Sequence, residues 1–170
     1  MALIKVQSEG INLADDFTFS GTVIGAGEPN TPIVRAVPSA NQTVTYATYT
    51  TIVFDTEQID THSAFTGNTF TVPSGQAGKY FVNLQVIATD ASADSLERLN
   101  IKINSTDKAS GNYYKGASGD HSFILSGIFD LSEGDTIIGT YFTYAGGSAT
   151  IKSNASYAGG TCIDIFKIAS

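Results

Sequence analysis

Among its 170 residues the chain has one cysteine, so no intrachain disulfide can staple it. That residue, Cys162, lies in the apolar run Thr161-Cys162-Ile163-Asp164-Ile165-Phe166 and is expected to be a small buried hydrophobe. Charge is scarce as well. Asp, Glu, Lys and Arg make up 15%, where the surfaces of independent small domains run at about 25–35%. A chain so poor in charge is expected to hide part of its surface against copies of itself. Lys and Arg number 9 against 16 Asp and Glu, for a net charge of −7. The cations never cluster, which excludes nucleic acid, whose binding needs grouped Lys and Arg to release counterions. Arg98 and Lys102, the nearest approach to a cluster, read as solvated strand positions. No apolar run reaches the ~18 residues of a membrane span, so no membrane role is expected. Met1-Ala2-Leu3-Ile4-Lys5-Val6-Gln7 lacks the apolar core of a secretory leader, and synthesis in a cytoplasm is the expectation.

Also missing is any sustained i, i+3, i+4, i+7 apolar stripe, and with it any amphipathic helix. What is present is period-two alternation. Tyr80, Val82, Leu84 and Val86 alternate with other residues, as do Leu99, Ile101 and Ile103 with Asn100, Lys102 and Asn104 opposite. Phe123, Leu125, Phe129 and Leu131 repeat the pattern around Gly127, where a neighbouring backbone or ring can approach closely. Glu133-Gly134-Asp135 reads as a turn into Thr136–Thr143, and a last strand is expected over 162–168. Many short strands broken by Gly-rich turns predict an all-β sandwich or barrel. Two strands depart from clean alternation. Tyr141 and Phe142, and then Ile163, Ile165, Phe166 and Ile168, are apolar on both faces. One face of each is expected to meet the core and the other a neighbouring subunit.

Prolines are few, but three of the four (Pro29, Pro32 and Pro38) crowd one ten-residue window. They divide the chain into a head segment 1–28, a Pro-containing linker 29–43 and a body 44–170. The head segment is too short to cover its own apolar side chains. An extended N-terminal arm that docks on a partner is therefore expected, through Leu3, Ile4, Val6, Ile11, Leu13, Phe17, Phe19 and Val23.

Taken in order, several stretches of the body resemble a known family. They are Thr51-Ile52-Val53-Phe54-Asp55-Thr56, Phe70-Thr71-Val72-Pro73, Gly78-Lys79-Tyr80-Phe81, Ile101-Lys102-Ile103-Asn104, Leu131-Ser132-Glu133-Gly134-Asp135-Thr136 and Ile163-Asp164-Ile165-Phe166-Lys167-Ile168. Over about residues 44–168 this resembles the globular head of complement component 1q and its tumour-necrosis-factor-like relatives. The resemblance implies a ten-stranded jelly-roll β-sandwich that forms a homotrimer through aromatic and aliphatic residues. Collagen repeats, which precede the head in members that work in blood, are absent here, so the family's immune roles are not implied. The arm, Lys5 to Val23, resembles the opening of virion proteins of tailed phages, especially those of aquatic bacteria. That resemblance implies attachment to a particle assembled in the host cytoplasm, with the jelly roll facing outward on the virion surface.

Catalytic and metal chemistry finds little support. His62 and His121 each sit beside Asp and Ser, but neighbours on an extended chain point to opposite faces and make poor triads. Two histidines without shared helical spacing are a weak zinc signal. No enzyme and no cofactor are expected. Structural calcium is the remaining option, with Asp55, Asp60 and the Asp90–Asp94 stretch as carboxylates, though none matches a known calcium loop. Tyr113, Tyr114, Tyr144 and Tyr157 lie in Gly-, Ser- and Asn-rich stretches. Such tyrosines suit adaptable binding surfaces and can stack on sugar rings. Two functions follow. The first is a trimeric capsid decoration (cement) protein bound to the major capsid protein or another virion protein through its arm. The alternative is a tail-fibre or head-fibre tip recognising host cell-surface glycans.

Overall fold

A computed structural model describes residues 31–90, 95–144, 146–153 and 160–169. Thirteen strand segments run through them: β1 (Ile33–Val37), β2 (Gln42–Val44), β3 (Thr50–Thr51), β4 (Thr56–Asp60), β5 (Phe65–Thr66), β6 (Thr69–Thr71), β7 (Gly78–Asp90), β8 (Ser95–Ile103), β9 (Thr106–Lys115), β10 (Gly119–Leu131), β11 (Thr136–Tyr144), β12 (Ala149–Ile151) and β13 (Cys162–Ala169). They form two antiparallel sheets. The first has the order β2-β12-β7-β13-β1-β4, with β10 on the free edge of β7; the second has the order β5-β6-β11-β8-β9, with β3 also on β11. β12 and β13 share one edge of β7, at Ala88–Thr89 and at Lys79–Gln85 respectively.

The alternation seen in the sequence becomes the core. Tyr80, Val82, Leu84, Val86 and Ala88 of β7 point inward and meet Leu99, Ile101 and Ile103 of β8 and Ile137 and Tyr141 of β11 within one cluster. Each fully buried Leu or Ile contributes roughly 1.5–3 kcal/mol relative to leaving it in water. The sheets approach closely at Gly139, where an added Cβ would stand 2.9 Å from Leu84 Cδ1. Gly127 is covered by the Phe129 ring, 2.8 Å from the position a Cβ would take, the close approach its place in the strand led us to expect.

Turns follow from residue chemistry. Asn104 and Ser105 both have positive φ, 50° and 66°, and close the two-residue hairpin between β8 and β9. Asn104 Oδ1 accepts from the Thr136 amide, and its Nδ2 donates to Asp135 Oδ1 at 2.7 Å. Gly134, at φ 81°, gives the expected turn into β11.

Two expectations are corrected. Residues 33–37, assigned to the linker 29–43, form β1, which pairs with β13 and β4 inside the first sheet. Pro32 and Pro38 flank this strand, so its ladder loses no amide from within, which is why a proline-rich window still holds a strand. The Gly- and Asn-containing stretch Asn112–Gly116, whose composition reads as a polar loop carrying Tyr113 and Tyr114, is largely the end of β9. Leu3, Ile4, Val6, Ile11, Leu13, Phe17, Phe19, Val23 and Tyr157 lie outside the described residues, as does Ala91–Asp94.

Candidate functional site

Because successive strand residues alternate between faces, each sheet has an outer face opposite the core, and the registers define both. On the first sheet Ile59, Arg35, Asp164, Asn83 and Ser126 lie in one row across five strands. The next row is Ile33, Phe166, Phe81 and Ile128. Ile124, opposite Gln85, follows on the other side. The middle row is polar and internally matched. Arg35 Nη1 donates to Asp164 Oδ1 at 2.6 Å, and Asn83 Nδ2 donates to Asp164 Oδ2 at 3.2 Å. Arg35 Nε donates to Gln58 Oε1 at 3.0 Å. Around this line the face is apolar. Ile128 is 65% exposed and Ile124 54%, with Ile59 and Ile168 also exposed, and the Phe81 and Phe166 rings pack at 5.2 Å. Isolated exposed apolar residues are ordinary, but several on one contiguous face mark a contact surface.

The outer face of the second sheet has different chemistry. Tyr144, Leu96 and Tyr114 form one row; Phe142, Arg98 and Asn112 the next; Thr140, Asn100 and Ser110 the third. The connection between β2 and β3 brings Tyr46 and Tyr49 over this face. The Tyr46 and Tyr144 rings are 5.0 Å apart, and those of Tyr49 and Phe142 4.7 Å. Arg98 donates to the Tyr49 hydroxyl and, from Nε, to Asn112 Oδ1 at 2.6 Å. Lys102 Nζ sits 6.0 Å from the centre of the Tyr49 ring and is paired with Asp107 at 2.7 Å. A hydrogen bond with Tyr144 is the main reason the Tyr46 phenol is raised above its ordinary value.

The residues expected at a subunit interface divide between these surfaces and the core. Tyr141, Ile163 and Ile165 are 0% exposed and face inward, out of a neighbour's reach. Phe166 and Ile168 lie on the outer face of the first sheet and Phe142 on that of the second. Tyr141 does more than pack. Its hydroxyl donates to Glu97 Oε2 at 2.6 Å, while Thr143 Oγ1 and Ser95 Oγ donate to Oε1. Glu97 is thus a buried carboxylate held by hydroxyl donors, and it escaped notice because it occupies an inward position in a charged-looking stretch.

Of the tyrosines expected to meet ligand, Tyr114 is 83% exposed and Tyr144 56%. Tyr113 folds back instead. Its hydroxyl donates to the Ile124 carbonyl and its ring packs 5.0 Å from Phe123, with burial raising its phenol above the ordinary value. Tyr46, Tyr49, Arg35, Asp164 and Asn83 were missed. The first two were legible only as tyrosines of an unassigned stretch, and the last three only once the register aligned them.

The groups considered for metal or catalysis are engaged locally. Asp60 accepts from the backbone amides of His62, Ala64 and Phe65. Asp55 accepts from the Ser39 hydroxyl and amide, which hold its carboxyl below the ordinary value. His62 Nδ1 contacts Thr61 Oγ1, and His121 Nε2 contacts the Ala117 carbonyl. Cys162 is buried as expected, and burial and then Asp164 push its thiol up to about 11. An open cleft of about 510 Å³ beside the β8–β9 turn is lined by Asn104, Lys108, Asp130 and Asp135 among others. Asn104 and Asp135, however, already bind each other and neighbouring amides.

Neither a family model nor a curated protein matches the chain. Many solved structures share its architecture, among them the following two. The globular domain of zebrafish complement 1qA protein aligns at a TM-score of 0.57 and 15% identity, covering 81% of this chain and 98% of that one. Murine APRIL, crystallised at pH 5.0, aligns at 0.58 and 15%, covering 80% and 98%. At such identity the likeness establishes the fold, which is the complement 1q/tumour necrosis factor jelly-roll sandwich implied by the sequence resemblance.

Proposed function

We propose that the chain is a structural protein of a phage virion, a trimeric jelly-roll head that decorates the capsid and is attached through residues 1–28. The observation that carries the self-association is the outer face of the first sheet. It is an aliphatic and phenylalanine surface around a matched Arg35–Asp164 pair, the composition of an interface that removes apolar area from water without stranding charge. Burial there is worth about 25 cal/mol per Å² before association costs are subtracted. Attachment to a particle rests on the arm sequence, where the stretch from Lys5 to Val23 resembles the opening of tailed-phage virion proteins and carries apolar residues such as Ile11, Leu13, Phe17 and Phe19. Three arms on one trimer would bind at high effective concentration once the first had docked. Assembly and binding, with no catalysis, also fit the local engagement of both histidines, Asp55 and Asp60.

Copy number per particle tests this reading. Quantitative mass spectrometry of purified virions should find hundreds of copies in fixed ratio to the major capsid protein. Deleting residues 1–28 should leave a soluble trimer that no longer binds the particle; a truncated head that still decorates normally overturns the arm's role. A copy number of a few to a few dozen would transfer the protein to the tail or a vertex. The second reading, a tip that recognises host surface glycans, would then lead. It is favoured by the tyrosines of the second sheet's outer face, with Tyr114 and Tyr144 both largely exposed.

A further inference from the structure

We propose that the outer face of the second sheet is a binding site for acidic saccharides, with Tyr144 and Tyr114 as stacking platforms and Arg98 as the carboxylate receptor. The inference deepens the glycan-recognition reading and rests on it. It begins with Arg98. Among the described residues Arg35, Lys79, Lys102 and Lys152 each lie within 4.0 Å of a carboxylate, but Arg98, like Lys108 and Lys167, does not. Its described partners are neutral, the Asn112 amide oxygen and the Tyr49 hydroxyl. A guanidinium has five N–H donors in a planar fork suited to carboxylate; these two bonds leave three of them open. The bonds to Asn112 and Tyr49 also hold the fork in place before any ligand arrives, which lowers the ordering cost of binding.

The frame around Arg98 is aromatic. Tyr144 and Tyr114 flank Leu96 in the adjacent row, two strand spacings or about 10 Å apart. Tyr46 packs against Tyr144, and the Phe142 and Tyr144 rings lie nearly parallel, 10° between planes at 6.4 Å. Tyrosines held this way offer flat faces to sugar C–H groups and hydroxyls to sugar oxygens. Their spacing suits a short oligosaccharide more than a single ring. The row beyond Arg98 adds a polar floor. Asn100 and Thr140 are directly opposed on this same outer face, yet they are 0% and 4% exposed. Neither the Asn100 amide nor the Thr140 hydroxyl has a hydrogen-bond partner among the described residues. Tyr49 lies on the same face, in contact with Phe142 and Arg98 and near Lys102.

The net charge of −7 does not oppose this, because salt confines exposed charges to about 8 Å at physiological ionic strength. Acidity of the ligand is what separates this site from a general tyrosine patch. A neutral sugar would use the rings and leave Arg98 unanswered.

The test uses the full chain and two probes, tetragalacturonate and 3′-sialyllactose, each against its own methyl ester, by isothermal titration calorimetry. Methyl esterification removes the charge and keeps the sugar rings. At least one acid should bind at least tenfold more tightly than its ester. Arg98→Gln should erase that difference while the far-ultraviolet circular dichroism and assembly mass stay as in the parent. Tyr144→Ala should weaken acid and ester together, and Glu57→Gln, an exposed change on β4, should alter neither. Equal binding of acid and ester, lost in Tyr144→Ala, overturns the carboxylate assignment but leaves glycan recognition standing. No binding of either acid or either ester overturns both.

Discussion

The sandwich has two outer faces, and the contrast between them is chemical more than geometric. Both are antiparallel, both expose large side chains, and each contains one arginine near its middle. On the first sheet Arg35 is answered by Asp164, with Asn83 filling the second carboxylate oxygen. Apart from Gln58, Gln85 and Ser126, the large side chains around it are mainly isoleucines and phenylalanines, which have no hydrogen bonds to offer. On the second sheet Arg98 is answered only by neutral groups, and its surroundings are mainly tyrosines, which carry a polar tip on an apolar body. A face that is electrostatically closed and otherwise aliphatic gains most from meeting another dry protein surface. A face that is electrostatically open and rich in tyrosine gains most from a polar ligand whose binding leaves it partly wet. On the proposed reading, one fold separates a surface for holding copies together from a surface for meeting something else.

The largest effect that could break this division is on assembly. Ile124→Asp with Ile128→Asp places two carboxylates at positions that are more than half exposed in the single chain, so the monomer fold should tolerate them. Burying them at an interface would be costly, and association should fall at least about 100-fold, roughly 2.8 kcal/mol. Sedimentation velocity would read a monomer where the parent sediments as a trimer. Tyr144→Asp on the other face should leave the mass unchanged. If the two substitutions exchange outcomes, the faces have been assigned the wrong way round.

A smaller effect separates the two arginines. Arg35→Ala strips one partner from a carboxylate whose side chain is 26% exposed. It should cost about 1–3 kcal/mol by chemical denaturation, much of it from the stranded Asp164. Arg98→Ala removes an arginine from a half-buried site with neutral partners, and should cost less, about 0.5 kcal/mol. Equal losses would mean that Arg98 is structural, and would weaken its assignment as a ligand receptor.

How far this was readable beforehand depends on whether the information is periodic or relational. The β7 and β8 strands were legible because Tyr80 to Val86 and Leu99 to Ile103 repeat every second residue, and burial selects one face. Gly127 was legible because a glycine between the inward Leu125 and Phe129 has few other uses. β1 was not, since prolines at its ends look like linker until their missing amides are seen to fall outside the ladder. Tyr113 resembled Tyr114 and Tyr144 in sequence, but its place in β9 turns it back toward Phe123. The Arg35–Asp164–Asn83 row joins positions up to 129 residues apart, and no local pattern announces such a pairing. Tyr141 and Ile163 were recognised as apolar on two-faced strands, but which neighbour each meets is set by the opposing sheet.

The smallest effect concerns the turns that support the second sheet, where three carboxylates sit below their ordinary values. Asp135 is lowered chiefly by Asn104 and then by the Ser132 amide, Glu133 by the Gly75 amide and Ser74, and Asp55 by the Ser39 hydroxyl and amide. A carboxyl with a lowered folded value stays ionised in the folded chain at pH values where the unfolded chain has taken up its proton. The stability it contributes is therefore present above the ordinary values, 3.8 for Asp and 4.5 for Glu, and lost as pH falls through the lower folded values. Asp135 ties the β8–β9 turn to the turn before β11, and Glu133 ties the latter to the turn before β7. Between about pH 5 and pH 3 the amides of Asn104, Asp135 and Thr136 should lose hydrogen-exchange protection before those of the β7–β13 ladder. Asp135→Asn should flatten that pH dependence, because the residue that takes up the proton is gone. Loss of protection first in the β7–β13 ladder would show instead that the first sheet is the acid-sensitive half of the molecule.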